Sequence, residues 1–325
     1  MKKVLKPLVM IFLIMNLSGC GMMMMQQQQQ QQNDFSEQQE PTSSDSDLSS
    51  DAGSELNSSE SFSDEKRIVS LVPSNTEILH AMDMNDDIVG LTTVDTYPEA
   101  LAEDPDVEKL DAFEFDIEQL LALEPTHILS HESSRAMHES VLEQIAEETG
   151  AQVLYVEEVE TVEGIPGTIM EIGQFIGETD QADQAAAVLN EDIEEIAGKQ
   201  DSPVDGESHD AVIQIGRSPE IYTTGADTFL NDVLDKVNVD NAFGDLTGFT
   251  SVSMESLIER NPDYIISVSG VDTDGLNKEV AEFPGIENMT IKSEDRQCAV
   301  DPDIITRPGP RITEGMEKIS QCLNG

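Results

Sequence analysis

Two glutamates, Glu118 and Glu255, occupy the same place in two copies of one sequence unit. In the first copy Asp116-Ile117-Glu118 precedes the apolar Leu120-Leu121-Ala122, then Pro125 and the strand-like His127-Ile128-Leu129-Ser130. In the second, Ser253-Met254-Glu255 precedes Leu257-Ile258, then Pro262 and Tyr264-Ile265-Ile266-Ser267. The offset is constant at 137. Each acid falls in the first turn of a short helix, where the dipole stabilises an anion. An exposed anion of this kind orients a cationic partner and speeds encounter with it. A duplicated helix–Pro–strand unit implies two similar lobes, each presenting one carboxylate.

The elements around these units alternate between strand and helix. Arg67-Ile68-Val69-Ser70-Leu71-Val72-Pro73 reads as a buried strand, and Ser74-Asn75-Thr76-Glu77 reads as a capping box opening a helix over 78–82. Residues 88–92 form the next strand, 137–149 a helix ended by Gly150, and 152–156 another strand. Residues 179–198 make one long helix rich in Ala, Glu and Asp, followed by a polar linker over 199–208. The pattern resumes at 211–215. Such alternation predicts an α/β fold with parallel sheets covered on both faces. The expected architecture is two Rossmann-like lobes joined by a single long bridging helix, with a ligand cleft between them. The corresponding boundaries are 66–178, 179–200 and 205–325.

The N-terminus stands apart from that core. Lys2, Lys3 and Lys6 precede an apolar run over 8–15 that is too short to span a bilayer, and the segment ends in Leu17-Ser18-Gly19-Cys20. Small residues before a cysteine at this distance resemble a bacterial lipoprotein signal. That resemblance makes 1–19 a signal peptide and Cys20 the lipidation site. The protein is then expected at the cell membrane, lipid-anchored on its extracytoplasmic face. Residues 20–65, with a Met run, a Gln run and a Ser/Asp/Glu-rich stretch, lack the apolar content to fold and read as a disordered tether.

The formal charge is −49, from 17 Lys+Arg against 66 Asp+Glu. That balance repels phosphate and excludes nucleic acid as a partner. Dense carboxylates with scarce lysine suit a salt-rich or alkaline exterior. Beyond Cys20 the chain has two cysteines, Cys298 at a strand start and Cys322 at the end of the helix that returns after it. They could lie at the same end of the lobe, bonded or as two buried thiols, and the sequence leaves both open.

Several ordered segments resemble the ferric-siderophore and cobalamin binding proteins of ABC importers. They are Ile68-Val69-Ser70-Leu71-Val72-Pro73-Ser74-Asn75-Thr76-Glu77, Val89-Gly90 through Tyr97-Pro98, the Glu118 unit, Ile221-Tyr222-Thr223-Thr224-Gly225 and Thr306-Arg307-Pro308-Gly309-Pro310-Arg311. The resemblance covers 66–325 and implies a monomeric extracytoplasmic binding lipoprotein, with no enzymatic activity and no covalent cofactor. Its cargo would be an iron–siderophore or cobalamin-type complex, and its partner an ABC permease dimer with its ATPase subunits. It also implies that Glu118 and Glu255 dock into arginine pockets of the two permease subunits.

Open α/β sheets hold ligands beyond the carboxyl ends of their strands. Seven arginines occur, and Arg135, Arg217 and Arg307 all follow expected strands. Guanidinium suits the oxygen ligands of an iron chelate or the amide and phosphate edges of a corrinoid. With Ser74 and Tyr97 they form the expected ligand-binding set, while Arg311, in the first turn of the last helix, braces the loop. The chain has no Trp, and Val94 stands where a ring for a corrin is expected, leaving Tyr97, Phe113 or Phe249. A near-neutral chelate such as a ferric hydroxamate fits best.

His127, His131 and His138 raise a bare zinc or manganese site as an alternative, but the second lobe offers only His209. The expectation is therefore no metal site. No Gly-x-Ser-x-Gly elbow or phosphate-cradling loop appears, and Ser133-Ser134 beside His131 does not make a triad.

Overall fold

The computed structural model describes residues 65–199, 209–217 and 220–324. The expected signal segment, Cys20 and nearly all of the tether lie outside the described residues, as does the linker over 200–208.

Five strands build the first sheet: β1 (Ile68–Ser70), β2 (Ile88–Thr92), β3 (Glu108–Leu110), β4 (His127–His131) and β5 (Gln152–Val156). They run parallel in the order β3-β2-β1-β4-β5. Helices α1 (Pro73–Ala81), α2 (Glu99–Ala102), α3 (Ile117–Ala122), α4 (Arg135–Thr149) and α5 (Ile165–Ile176) connect and follow these strands. Next comes α6 (Thr179–Lys199), whose Ala182, Ala186, Leu189, Ile193 and Ile196 form one buried stripe at helical spacing. Among the described residues no helix is long and apolar enough to cross a membrane.

The second lobe contains β6 (His209–Gln214), β7 (Gly216–Arg217), β8 (Ile221–Thr224), α7 (Phe229–Lys236), β9 (Val239–Asn241), β10 (Phe249–Val252), α8 (Met254–Arg260), β11 (Tyr264–Ser267), α9 (Thr273–Ala281), β12 (Gln297–Ala299), α10 (Pro302–Ile305) and α11 (Ile312–Asn324). Its main sheet is parallel in the order β12-β11-β6-β9. The sequence pattern predicts only parallel sheets, and here the structure differs. Strands β7, β8 and β10 form a separate antiparallel sheet, because β7 turns back tightly onto β8 and β10 returns along its other edge.

The duplicated unit is repeated in three dimensions. Leu120 in α3 and Leu257 in α8 are both fully buried. Glu124 and Asn261, each just before a proline, both adopt φ 45°. In both copies the chain thus leaves its helix through the left-handed region, immediately before a proline that cannot continue the helix. It then enters β4 or β11, each central to its sheet, and Ser130 and Ser267 are fully buried at equivalent positions.

One hydrophobic core runs through both lobes. It links Leu129 and Val156 of the first sheet, Ile165, Ile169 and Ile172 of α5, the α6 stripe, Ile213 and Ile266 of the second sheet, and Met316 and Ile319 of α11. At the α5–α6 crossing a Cβ on Gly173 would lie 2.2 Å from that of Ala182, so only glycine permits this approach.

Cys298 and Cys322 are bonded, with Cα atoms 5.8 Å apart, tying β12 to α11 across 24 residues of sequence. Closing a loop of that length stabilises the fold by about 3.5 kcal/mol in the chain-entropy account. Reduction is therefore expected to lower the unfolding midpoint by several degrees. An unchanged midpoint in protein whose cleaved bond is verified by mass would contradict this.

Candidate functional site

The two lobes touch through polar contacts at two flanks. On the first, Glu77 of α1 is buried, its side chain 1% exposed, and receives two arginines from the second lobe. Arg311 donates from Nε to Oε2 at 3.1 Å and from Nη2 to Oε1 at 2.6 Å. Arg307 donates to the same carboxylate at 3.3 Å, to Thr96 Oγ1 at 3.2 Å and to the Val94 carbonyl at 3.4 Å. Its other partner is Asp303 at 2.7 Å, and Thr96 donates to Asp303 at 2.6 Å. On the second flank the Val162 amide donates to Asp232 Oδ2 at 2.7 Å, and Lys236 pairs with Glu163.

The capping box expected at Ser74 does not form. The N-cap falls two residues earlier, at Val72, which makes no side-chain bond, and Pro73 opens helix α1. Proline presets helical φ at that position, and Glu77 turns to the two guanidinium groups instead. This interlobe cluster escaped sequence reasoning. The signal that could have revealed it is a lone acid in an apolar helix, matched by the Arg307-Pro308-Gly309-Pro310-Arg311 segment.

Ser74 lies in the first turn of α1, beside Gly309 at this flank. Tyr97 precedes a cis peptide at Pro98, and its ring meets His80 edge-on at 5.3 Å while the Arg311 guanidinium covers it at 4.2 Å. Ser74, Tyr97 and Arg307 are thus brought together at one flank. Arg135 opens α4 at the end of β4, held by Glu132 at 2.7 Å and Glu139 at 3.5 Å and stacked 4.0 Å over Tyr155. Arg217, on the antiparallel sheet, lies 3.8 Å from Glu279 and 4.6 Å over the Phe283 ring.

Large apolar side chains stand open beside these groups: Phe113 after β3 (67% exposed), Met137 in the first turn of α4 (52%) and Val94 after β2 (42%). Phe249 of β10 is 39% exposed and stacks on Tyr222. Met137 carries no polar signal in the sequence, so it was not singled out. Beyond β5 a groove of about 410 Å³ is lined by Glu157, Glu158, Glu160, Thr168 and Glu171. Burial and the neighbouring Glu157 push the Glu171 carboxyl above its ordinary range. Burial also pushes Asp95 up, against hydrogen bonds from Thr76 and Thr92 and the Arg307 charge.

The histidines do not converge. His127 packs edge-on against Phe175 at 5.3 Å, His138 lies tilted on Phe115 at 4.5 Å, and His131 Nδ1 bonds the Ser133 hydroxyl at 2.8 Å. Burial lowers the pKa of all three. His209 lies 3.4 Å from Asp263 and edge-on to Tyr264. Among the described residues no group of three or more His, Cys, Asp or Glu could hold a metal ion.

Glu118 and Glu255 are exposed and occupy equivalent first-turn positions in α3 and α8. Asp116 caps the first helix by accepting from the Glu118 amide at 2.8 Å, and Ser253 caps the second by accepting from Ser256 at 3.2 Å. Neither glutamate makes an ion pair among the described residues.

Residues 68–294 match the periplasmic binding protein family. The chain is 34% identical over 258 residues to an uncharacterized ABC transporter substrate-binding lipoprotein, YvrC, of Bacillus subtilis, covering 79% of this chain and 80% of that one. It is 24% identical over 265 residues to a vitamin B12-binding protein of Pectobacterium atrosepticum, covering 79% and 88%. Among solved structures, a possible iron-binding (periplasmic solute-binding) protein of Staphylococcus epidermidis superposes with a TM-score of 0.72 at 33% identity, over 80% of this chain and 98% of that one.

Proposed function

This chain belongs to the periplasmic binding protein family, and from that premise we propose that it is the substrate-binding lipoprotein of an ABC importer. It captures an iron–siderophore or cobalamin-type complex between its lobes and delivers it to a permease dimer driven by ATPase subunits. It acts as a monomer, anchored through Cys20 on the outer face of the cell membrane, and catalyses no reaction. The observation that carries this reading is the repeated unit, which sets one exposed glutamate, without an ion pair among the described residues, on each lobe at the same structural position. A surface acid in a chain with 66 acids is ordinarily solvated. Two in register, on one rigid frame, suit a partner with two equivalent cationic pockets.

Ligand would enter between the strand-carboxyl loops, against Phe113, Met137 and Val94, with Arg135 and Arg217 at its polar edges. Tyr97 and Ser74 shape the flank that Arg307 closes. The test is a thermal-shift screen with cyanocobalamin, haemin, several ferric siderophores, and zinc and manganese salts. One chelate or corrinoid is expected to raise the midpoint strongly, since a ligand at a hundred times its Kd adds about 2.7 kcal/mol. Stabilisation by zinc or manganese alone would replace this reading with bare-metal import.

A further inference from the structure

Each arginine expected at the ligand cleft already has a carboxylate of the chain itself within 3.8 Å. Glu132 and Glu139 hold Arg135, Glu279 holds Arg217, and Glu77 and Asp303 hold Arg307. Lysine does not make up the difference. Lys109 spends its ammonium on the carbonyls of Leu101, Asp104 and Val107, while Lys66 and Lys236 pair with Glu178 and Glu163. On the same strand-carboxyl loops Asp111, Glu114, Asp116, Glu157, Glu158 and Asp301 are exposed. The surfaces left open for contact are apolar, above all Phe113 and Met137.

From this compensation of charge we infer that the cargo carries no net negative charge. It is a neutral or cationic metal chelate with an apolar flank, such as a ferric hydroxamate or an uncharged corrinoid. Anionic ferric catecholates and porphyrin dicarboxylates are rejected. The inference rests on the binding-protein reading above and narrows its substrate class. The physical ground is Coulombic. A trianionic chelate entering this cleft would meet uncompensated carboxylates, and neutralised guanidinium groups would offset none of that repulsion. A neutral hydroxamate meets no such penalty. It can still accept hydrogen bonds from guanidinium N–H groups that the carboxylates leave unused.

The experiment is calorimetric titration of the purified protein with ferrioxamine B (cationic), ferrichrome (neutral), cyanocobalamin (neutral) and ferric enterobactin (trianionic), at low and at molar salt. At least one of the first three is expected to bind, with ferric enterobactin weaker by a hundredfold or more at low salt, on the order set by these charges. The variants Glu279→Gln and Glu132→Gln/Glu139→Gln, verified as folded by their melting curves, release Arg217 and Arg135. Each is expected to gain about tenfold in affinity for ferric enterobactin at low salt and to lose that gain at high salt. Parent protein that binds ferric enterobactin as tightly as the best neutral chelate overturns the charge rule and leaves the importer reading standing. Binding of none of the four, with zinc or manganese stabilising instead, overturns both.

Discussion

Glu77→Gln lowers the unfolding midpoint by roughly 6–20 °C, the largest stability effect expected of any single substitution in this chain. The carboxylate is buried, and two guanidinium groups from the other lobe close on it within 2.6–3.3 Å. Removing one partner of a buried ionic cluster costs about 3–5 kcal/mol, because the remaining charges stay desolvated without compensation. Here Arg311 would be left facing a neutral amide, while Arg307 would keep only Asp303. Scanning calorimetry of the single variant checks this, and a midpoint within a degree or two of the parent would show that the cluster is solvated and weak. Converting Glu77, Arg307 and Arg311 together to apolar residues of similar volume should recover much of the loss, since the one charge left without its partner, Asp303, is partly exposed to water.

Glu118→Ala/Glu255→Ala is expected to leave ligand affinity and melting temperature at parental values while abolishing uptake. Both side chains are exposed and neither makes an ion pair among the described residues, so truncation removes nothing the fold depends on. Substitutions at such sites ordinarily change stability by less than about 0.5 kcal/mol. Truncating one member of an interfacial charge pair, by contrast, costs about 2–5 kcal/mol of association, or some thirtyfold and more at each lobe. Ligand titration beside transport in proteoliposomes carrying the permease separates the two quantities. Normal transport by the double variant would remove the docking role.

The parts legible in the sequence are those set by local periodicity. The strands at 88–92, 152–156 and 264–267 and the end of α4 at Gly150 fall where their patterns place them. The long helix expected over 179–198 extends one residue further. The repeat was legible because the same burial, proline and turn requirements act twice on a single register. The Glu77 cluster was not, because its partners lie 230 and 234 residues away and no local rule links them. The compensation of Arg135 is an intermediate case. Glu132 and Glu139 stand three residues before it and four after, spacings at which side chains on a helical turn meet. That pairing could have been read from the chain, whereas the contact of Arg217 with Glu279 depends on the second lobe's packing. The antiparallel sheet was hidden by the shortness of β7, two residues that carry no period of their own.

The single interior shared by both lobes and α6 has a consequence for distance. Leu120 beneath Glu118 and Leu257 beneath Glu255 anchor their short helices in the hydrophobic cores of their lobes, and both lobes share a further core with α6, which packs on the first lobe with no room to slide at Gly173 and Ala182. The separation of the two acids is therefore a dimension of the scaffold, indifferent to loop motion or to what occupies the cleft. On the docking reading proposed above, the molecule is a gauge block with a charged mark at each end, and a permease's two sockets would have to match its length.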